Sequence, residues 1–262
     1  MTPVPDQASP PLLTLNDGVA TLCINRPHKR NRLEPDDLHT LMRHCEQINA
    51  DASIRVVVLT AHTAGQPRPV FCAGYDIGGF EGDQQDTRLF EHTVEALAAL
   101  RPIVVGAFNG SVYGGATDMA LACDLRVGLS GTEFRMPAAA LGLHYYPSGL
   151  RRYVANFGVN GARRAFLTAR PIPAESLLAQ GVLLEVVAAE VFDATVAALV
   201  NDVARLAPLA AQATKQSLSD IANGRYDLNT LLTRQSMTLQ SEDFAEGRRA
   251  FAERRAPNFH GR

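Results

Sequence analysis

Lysine is almost missing from this chain: Lys29 and Lys215 are the only two, and arginine supplies nearly all of the 25 basic residues. That skew reads as base composition rather than mechanism. Against 27 acidic residues the formal net charge is -2, so no polybasic surface is on offer to nucleic acid or to an anionic membrane. Long apolar runs are also missing, and none approaches the roughly 20 residues that a spanning helix needs. Cysteine is sparse: Cys23, Cys45, Cys72 and Cys123 stand far apart, with no C-x-x-C pair and no Cys/His metal pattern. The first residues are polar and proline-rich, without the basic-then-apolar order of a secretory signal. A cytoplasmic, reducing setting without a structural metal is expected.

What is present is an ordinary globular composition, 46% hydrophobic and 20% charged over 262 residues, enough for one sizeable core. Residues 1–11 read as a disordered arm. Residues 12–15 and 19–24 read as two strands around an Asp17-Gly18 turn. Pro35 with Asp36 and Asp37 suits the first turn of a helix whose apolar stripe is Leu38, Leu41, Met42, Cys45 and Ile48. The runs RVVVLT (55–60) and IVVGAF (103–108) lack alternation and read as buried strands. Helices are expected near 87–100 and from Gly114-Gly115 to about 122, with a strand at 124–127. Strand and helix in regular succession argue a parallel sheet with crossover helices. From Ser148 onward the signals are almost wholly helical. The expected layout is an α/β core over 12–200 and a helical region over 201–262.

Two glycine turns follow two of the buried strands: Phe71-Cys72-Ala73-Gly74-Tyr75-Asp76-Ile77 and Asn109-Gly110-Ser111-Val112-Tyr113-Gly114-Gly115. In a parallel sheet, ligands bind beyond the carboxyl ends of the strands, where both turns belong. Gly114-Gly115 also opens a helix, whose first N–H groups lack intrahelical partners. Two such donors meeting at one point would stabilise an enolate or alkoxide oxygen. On spacing alone, the glycines equally serve tight turns.

The same segments resemble those of the enoyl-CoA hydratase/isomerase (crotonase) superfamily. Phe71 to Ile77 is similar to F-x-A-G-x-D-[IL], and Gly110 to Ala116 to G-x-[AV]-x-G-G-[GA]. Cys123-Asp124-Leu125-Arg126 is similar to C-D-[LI]-R, and Asn25-Arg26-Pro27-His28-Lys29-Arg30-Asn31 to N-R-P-x-[KR]-x-N. Ser241 to Gly247, with Ala250-Phe251 and Pro257-Asn258-Phe259, resembles the family's S-x-D-x-x-E-G-x-x-A-F…P-x-F tail. The resemblance implies a crotonase-like (ββα)n spiral core and a CoA-thioester carbonyl held by the backbone N–H groups of Tyr75 and Gly115. It implies an acyl-CoA binding site around Ala73, Tyr75, Asp76, Ile77, Gly114 and Gly115, with coenzyme A entering as part of the substrate and no other cofactor. Lys29 is either near the CoA nucleotide or a solvated charge. A homotrimer or dimer of trimers, packed through residues 201–262, is the implied assembly.

Hydratases of this family use two glutamates. Here the first position is Asp118 and the second is Ala138, which can neither accept nor deliver a proton. Asp118 is then either a sole catalytic carboxylate or a locally bonded helix-face acid. Leu141-Gly142-Leu143-His144-Tyr145-Tyr146-Pro147-Ser148-Gly149 resembles L-G-V-P-Y-N-L-x-G of the methylmalonyl-CoA decarboxylase branch, which places Tyr145 at that branch's active-site tyrosine. Tyr75 departs from the branch, which has histidine there. His144 reads as a proton donor or a surface residue, Tyr146 as packing, and Cys72 as a small buried hydrophobe. The expectation is an enzyme that stabilises a thioester enolate, by decarboxylating a short 2-carboxyacyl-CoA. A hydratase or isomerase using Asp118 alone, and a non-catalytic acyl-CoA-binding protein, are the alternatives.

Overall fold

The computed structural model describes residues 10–75 and 88–262. Most of the expected N-terminal arm, and Asp76 and Ile77, lie outside the described residues. The fold begins with a hairpin, β1 (Leu12–Asn16) and β2 (Val19–Ile24), followed by helix α1 (Pro35–Ala50) and strand β3 (Val56–Ala61). The α1 start is a capping box in which Glu34 and Asp37 each accept from the other's backbone, and Arg26 holds the buried Asp37 at 2.9 Å. Then come β4 (Val70–Cys72), α2 (Leu89–Ala98), β5 (Ile103–Phe108), β6 (Ser111–Tyr113), α3 (Ala116–Ala122), β7 (Leu125–Leu129) and β8 (Glu133–Arg135). Helix α4 (Pro147–Thr168) is followed by β9 (Ile172–Pro173), α5 (Ala174–Ala179) and β10 (Glu185–Val187). The chain closes with α6 (Ala189–Ala204), α7 (Pro208–Ala222), α8 (Leu228–Leu239) and α9 (Glu242–Glu253).

The strands form two sheets, not one. The larger runs β1-β2-β3-β5-β7-β10, parallel except for the β1/β2 hairpin. The smaller runs β4-β6-β8-β9, with β9 antiparallel. From β3 to β8 each winding of the chain lays a strand in the large sheet and then a short one in the small sheet. After β3-β4 and β5-β6 it returns through a helix, which is the (ββα) spiral. Residues 148–200 are correspondingly less helical than their composition suggests, because β9 and β10 complete the edges of the two sheets. Phe71, Phe108 and Phe134 join the layers edge to face, with ring centroids 5.0 and 5.6 Å apart. Each such buried ring is worth about 1.5–3 kcal/mol. Helix α6 covers the opposite face of the large sheet, setting Phe192 and Val203 against Val56, Val105, Ala107 and Val127. Among the described residues no single helix is long and apolar enough to cross a membrane.

The C-terminal helices are tied to the core by a few strong polar contacts. On α7, the buried Lys215 ammonium donates to the Asp124 carboxylate and to the Pro102 carbonyl, each at 2.7 Å. Asp243 accepts from the backbone N–H groups of His260 (2.7 Å) and Gly261 (2.8 Å), while Arg55 donates to the Phe259 carbonyl at 2.6 Å. Glu246 takes Arg255 at 2.6 Å, the Asn258 N–H at 3.0 Å and Arg249 at 2.8 Å, which hold its carboxyl well below the usual carboxylate range. A depressed folded value means this contribution is present above the ordinary carboxylate range and lost as the pH falls through the folded value. Asp243→Ala should release the tail at a cost of about 1–3 kcal/mol. The checks are a Tm lower by several degrees and faster tryptic cleavage after Arg254 and Arg255. Unchanged cleavage would mean that the tail is held elsewhere.

Candidate active site

The two glycine turns meet. The first follows β4 and is fixed from behind by the loop after β2. There the Ala73 N–H donates to the Arg30 carbonyl at 3.0 Å, and the Leu33 N–H to the Gly74 carbonyl at 2.9 Å. That loop is held by Asn31, fully buried, whose amide donates to the carbonyls of His62 (2.9 Å) and Val70 (3.1 Å) and accepts from the Arg26 N–H (2.8 Å). The second turn follows β6 and is fixed by the Gly114 N–H, which donates to the Arg135 carbonyl at 2.9 Å. Gly74 has φ +97°, and a Cβ there would stand 2.9 Å from the Tyr113 carbonyl oxygen and 3.5 Å from the Gly115 nitrogen. The backbones around Tyr75 and Gly115 are therefore in contact. The Gly115 N–H has no acceptor among the described residues.

Aromatic rings wall this junction. Phe90, from α2, lies against Gly115 so closely that a Cβ on the glycine would be 2.6 Å from its Cζ. The Phe90 ring centroid is 5.7 Å from that of Tyr75 and 6.4 Å from that of Tyr146.

Asp118 lies three residues beyond Gly115 on α3 and is wholly buried. Arg152 on α4 donates to both of its oxygens, at 3.1 and 3.0 Å, and the Tyr146 hydroxyl donates to Oδ2 at 2.5 Å. Arg152 reaches on to Glu95 of α2 at 2.5 Å. Burial pushes the Asp118 carboxyl upward, opposed by Arg152 and by the Tyr146 hydroxyl. Burial alone would lower Arg152, but Asp118 and Glu95 hold it above its ordinary value. This carboxylate is committed to neighbours inside the protein. Ala138, at the second carboxylate position, is buried in a one-turn 3-10 helix, Ala138–Leu141.

Tyr145, placed by the sequence pattern at the active site, is buried beside Tyr146. Its ring stacks on Tyr146 at 4.2 Å and packs against Phe166 at 5.5 Å, and its hydroxyl donates to the Tyr146 hydroxyl at 3.1 Å. The phenol that meets Asp118 is that of Tyr146, read from sequence as packing. The physical reason is the aromatic cluster beneath, where Tyr153, itself bonded to Thr117, and Phe166 take the Tyr145 ring into the core. His144 is exposed, and Lys29, 41% exposed, pairs with Glu34 at 2.7 Å. Burial pushes the Cys72 thiol up to about 12, so it is protonated at neutral pH. Sequence reasoning missed Phe90, Arg152 and Glu95, for which no motif gave a signal.

A two-sheet spiral with a backbone junction between its glycine turns is the crotonase-type architecture. The chain matches the model of the enoyl-CoA hydratase/isomerase family over residues 14–262, and it belongs to that family. A probable enoyl-CoA hydratase of Mycobacterium leprae is 31% identical over 256 residues, covering 95% of this chain and 98% of that one. The methylmalonyl-CoA decarboxylase of Escherichia coli is 28% identical over 259 residues, covering 95% and 97%. Among solved structures, an enoyl-CoA hydratase/carnithine racemase from Magnetospirillum magneticum superposes with a TM-score of 0.87 at 26% identity, covering 97% and 96%.

If Asp118 and Arg152 are a structural pair, Arg152→Met alone should destabilise the fold by about 3–5 kcal/mol, because it strands a buried carboxylate. Adding Asp118→Asn should return much of that loss. Urea denaturation of the single and double variants checks this, and purely additive losses would count against the pairing.

Proposed function

We propose that this protein is an acyl-CoA enzyme that forms a thioester enolate without a carboxylate base, by decarboxylating a short 2-carboxyacyl-CoA. The thioester oxygen would sit between the N–H groups of Tyr75 and Gly115. The observation that carries this reading is the commitment of Asp118 to Arg152 and Tyr146, together with Ala138 where a second acid would stand. Hydration needs a group to take a proton from water, and these two positions do not supply one. Decarboxylation needs none. The bond between the α-carbon and the carboxylate breaks, carbon dioxide leaves, and the electron pair moves through the α-carbon onto the thioester oxygen. Solvent then protonates the α-carbon.

The aromatic surface supports the same direction of charge flow. A substrate carboxylate facing Tyr75, Phe90 and Tyr146 is poorly solvated, and its charge is relieved as it passes to an oxygen facing two N–H donors. Binding would rest on backbone contacts, with coenzyme A as the handle. The exposed apolar residues of the last helices, including Leu228, Leu232, Leu239 and Phe251, favour self-association into a trimer or a dimer of trimers, which sedimentation would test. The names of the relatives keep a hydratase or isomerase as the second reading.

Release of carbon dioxide from a panel that includes methylmalonyl-CoA is the direct experiment. Turnover of at least one short 2-carboxyacyl thioester is expected, with crotonyl-CoA hydration below the usual range of about 1–10³ s⁻¹. Fast hydration and no carbon dioxide would reverse the assignment. Because the Tyr145 hydroxyl is turned to Tyr146, Tyr145→Phe should cost less than about tenfold in turnover. A loss near 10²-fold would mean that the phenol itself reaches the substrate.

A further inference from the structure

The ring of Phe90 has no part in the motifs that define the family, yet it lies against Gly115 and near the rings of Tyr75 and Tyr146. It lies against the Cα of Gly115, where an added Cβ would be 2.6 Å from Cζ, 2.7 Å from Cε1 and 3.3 Å from Cε2. It faces the Tyr75 ring at 5.7 Å, tilted by 30°, and the Tyr146 ring at 6.4 Å. At 7% exposure it is a packed core side chain rather than a mobile surface ring. Its backbone belongs to α2, which packs on α1, α3 and α4, so the ring is held from several sides.

These contacts bear on what can be attached to a thioester carbonyl bound at Tyr75 and Gly115. The acyl chain leaves the carbonyl carbon and must occupy space beside the two donor residues. On the Gly115 side that space already holds the Phe90 ring, with the Tyr75 and Tyr146 rings close by. An ordered aromatic side chain in a close-packed setting does not yield to added methylenes without strain. We propose that Phe90 is the residue that sets acyl-chain length, closing the pocket so that only short acyl groups fit. This rests on the oxyanion-hole reading of Tyr75 and Gly115 given above.

The experiment is calorimetric titration of acetyl-, butyryl- and octanoyl-CoA into wild-type protein, Phe90→Leu and Phe90→Ala. Wild-type affinity should be flat or fall from acetyl to octanoyl. Opening the pocket should let added methylenes be buried, at roughly fourfold in affinity for each. The octanoyl-to-acetyl preference should therefore rise by about tenfold or more in Phe90→Ala, and by less in Phe90→Leu. The leucine variant keeps a core side chain in place and carries the test if the alanine variant does not fold. Identical chain-length profiles in the wild type and the variants would overturn the role of Phe90 while leaving the hole intact. Failure of every thioester to bind the wild type would overturn the hole, and this inference with it.

Discussion

A Cβ on Gly74 would stand 2.9 Å from a carbonyl oxygen of the neighbouring turn, at a φ of +97° that L side chains rarely adopt. Only glycine allows the chain after β4 to lie against the chain after β6 so closely that Tyr75 and Gly115 become neighbours. Much else in the core serves that approach. Asn31, at the centre of three hydrogen bonds, fixes the loop behind the first turn. The small sheet fixes the second, through β6 and β8. In the proposed reading, backbone donors supported in this way would face developing charge without reorganising, and such preorganisation is where an arrangement of this kind has catalytic value.

The separation of charge inside the site follows from the same rigidity. Asp118 projects from α3 one turn below Gly115, into a region where water does not reach. An acid there needs a partner, and Arg152 supplies one from α4, with Glu95 balancing the second edge of the guanidinium. Removing either half of such a pair leaves an uncompensated buried group, so the two positions are bound to each other energetically. That binding is why a carboxylate close to the donors is a poor candidate for moving protons to and from substrate.

The large sheet was legible in the sequence because its strands are long and β-branched, and β5 falls where the IVVGAF run places it. The small sheet was not. Strands β4, β6 and β8 have three residues each, too short for any period to register, and β9 lies in a stretch dominated by helical signals, as does β10, the one strand of the large sheet that was missed. The glycine turns stood out by composition. The motif residues Asn31, Asp124, Arg126, Asp243 and Glu246 were also visible, but the structure uses them as staples for loops, strands and the C-terminal tail. The aromatic and charged surroundings of the site were hidden because their partners are distant in the chain: Arg152 is 34 residues from Asp118 and 57 from Glu95. Which of Tyr145 and Tyr146 meets Asp118 was hidden for another reason. Adjacent tyrosines offer the same chemistry, and only the packing of Tyr153 and Phe166 decides which one turns inward.

Family membership and chemistry thus rest on different parts of the molecule. Spiral, glycine turns and anchored tail are backbone features, and they persist whatever acids stand around the junction. The reaction depends on where negative charge begins. In a site with two free carboxylates it can begin on the protein, as a base that takes a proton from water. With Ala138 at one position and Asp118 bound to Arg152 at the other, these two positions offer no such starting point. In the reading proposed above, a substrate that brings its own carboxylate would supply the charge, and the junction of Tyr75 and Gly115 would give it a place to arrive. The aromatic ring of Phe90, pressed against that junction, would then limit how much substrate can accompany it.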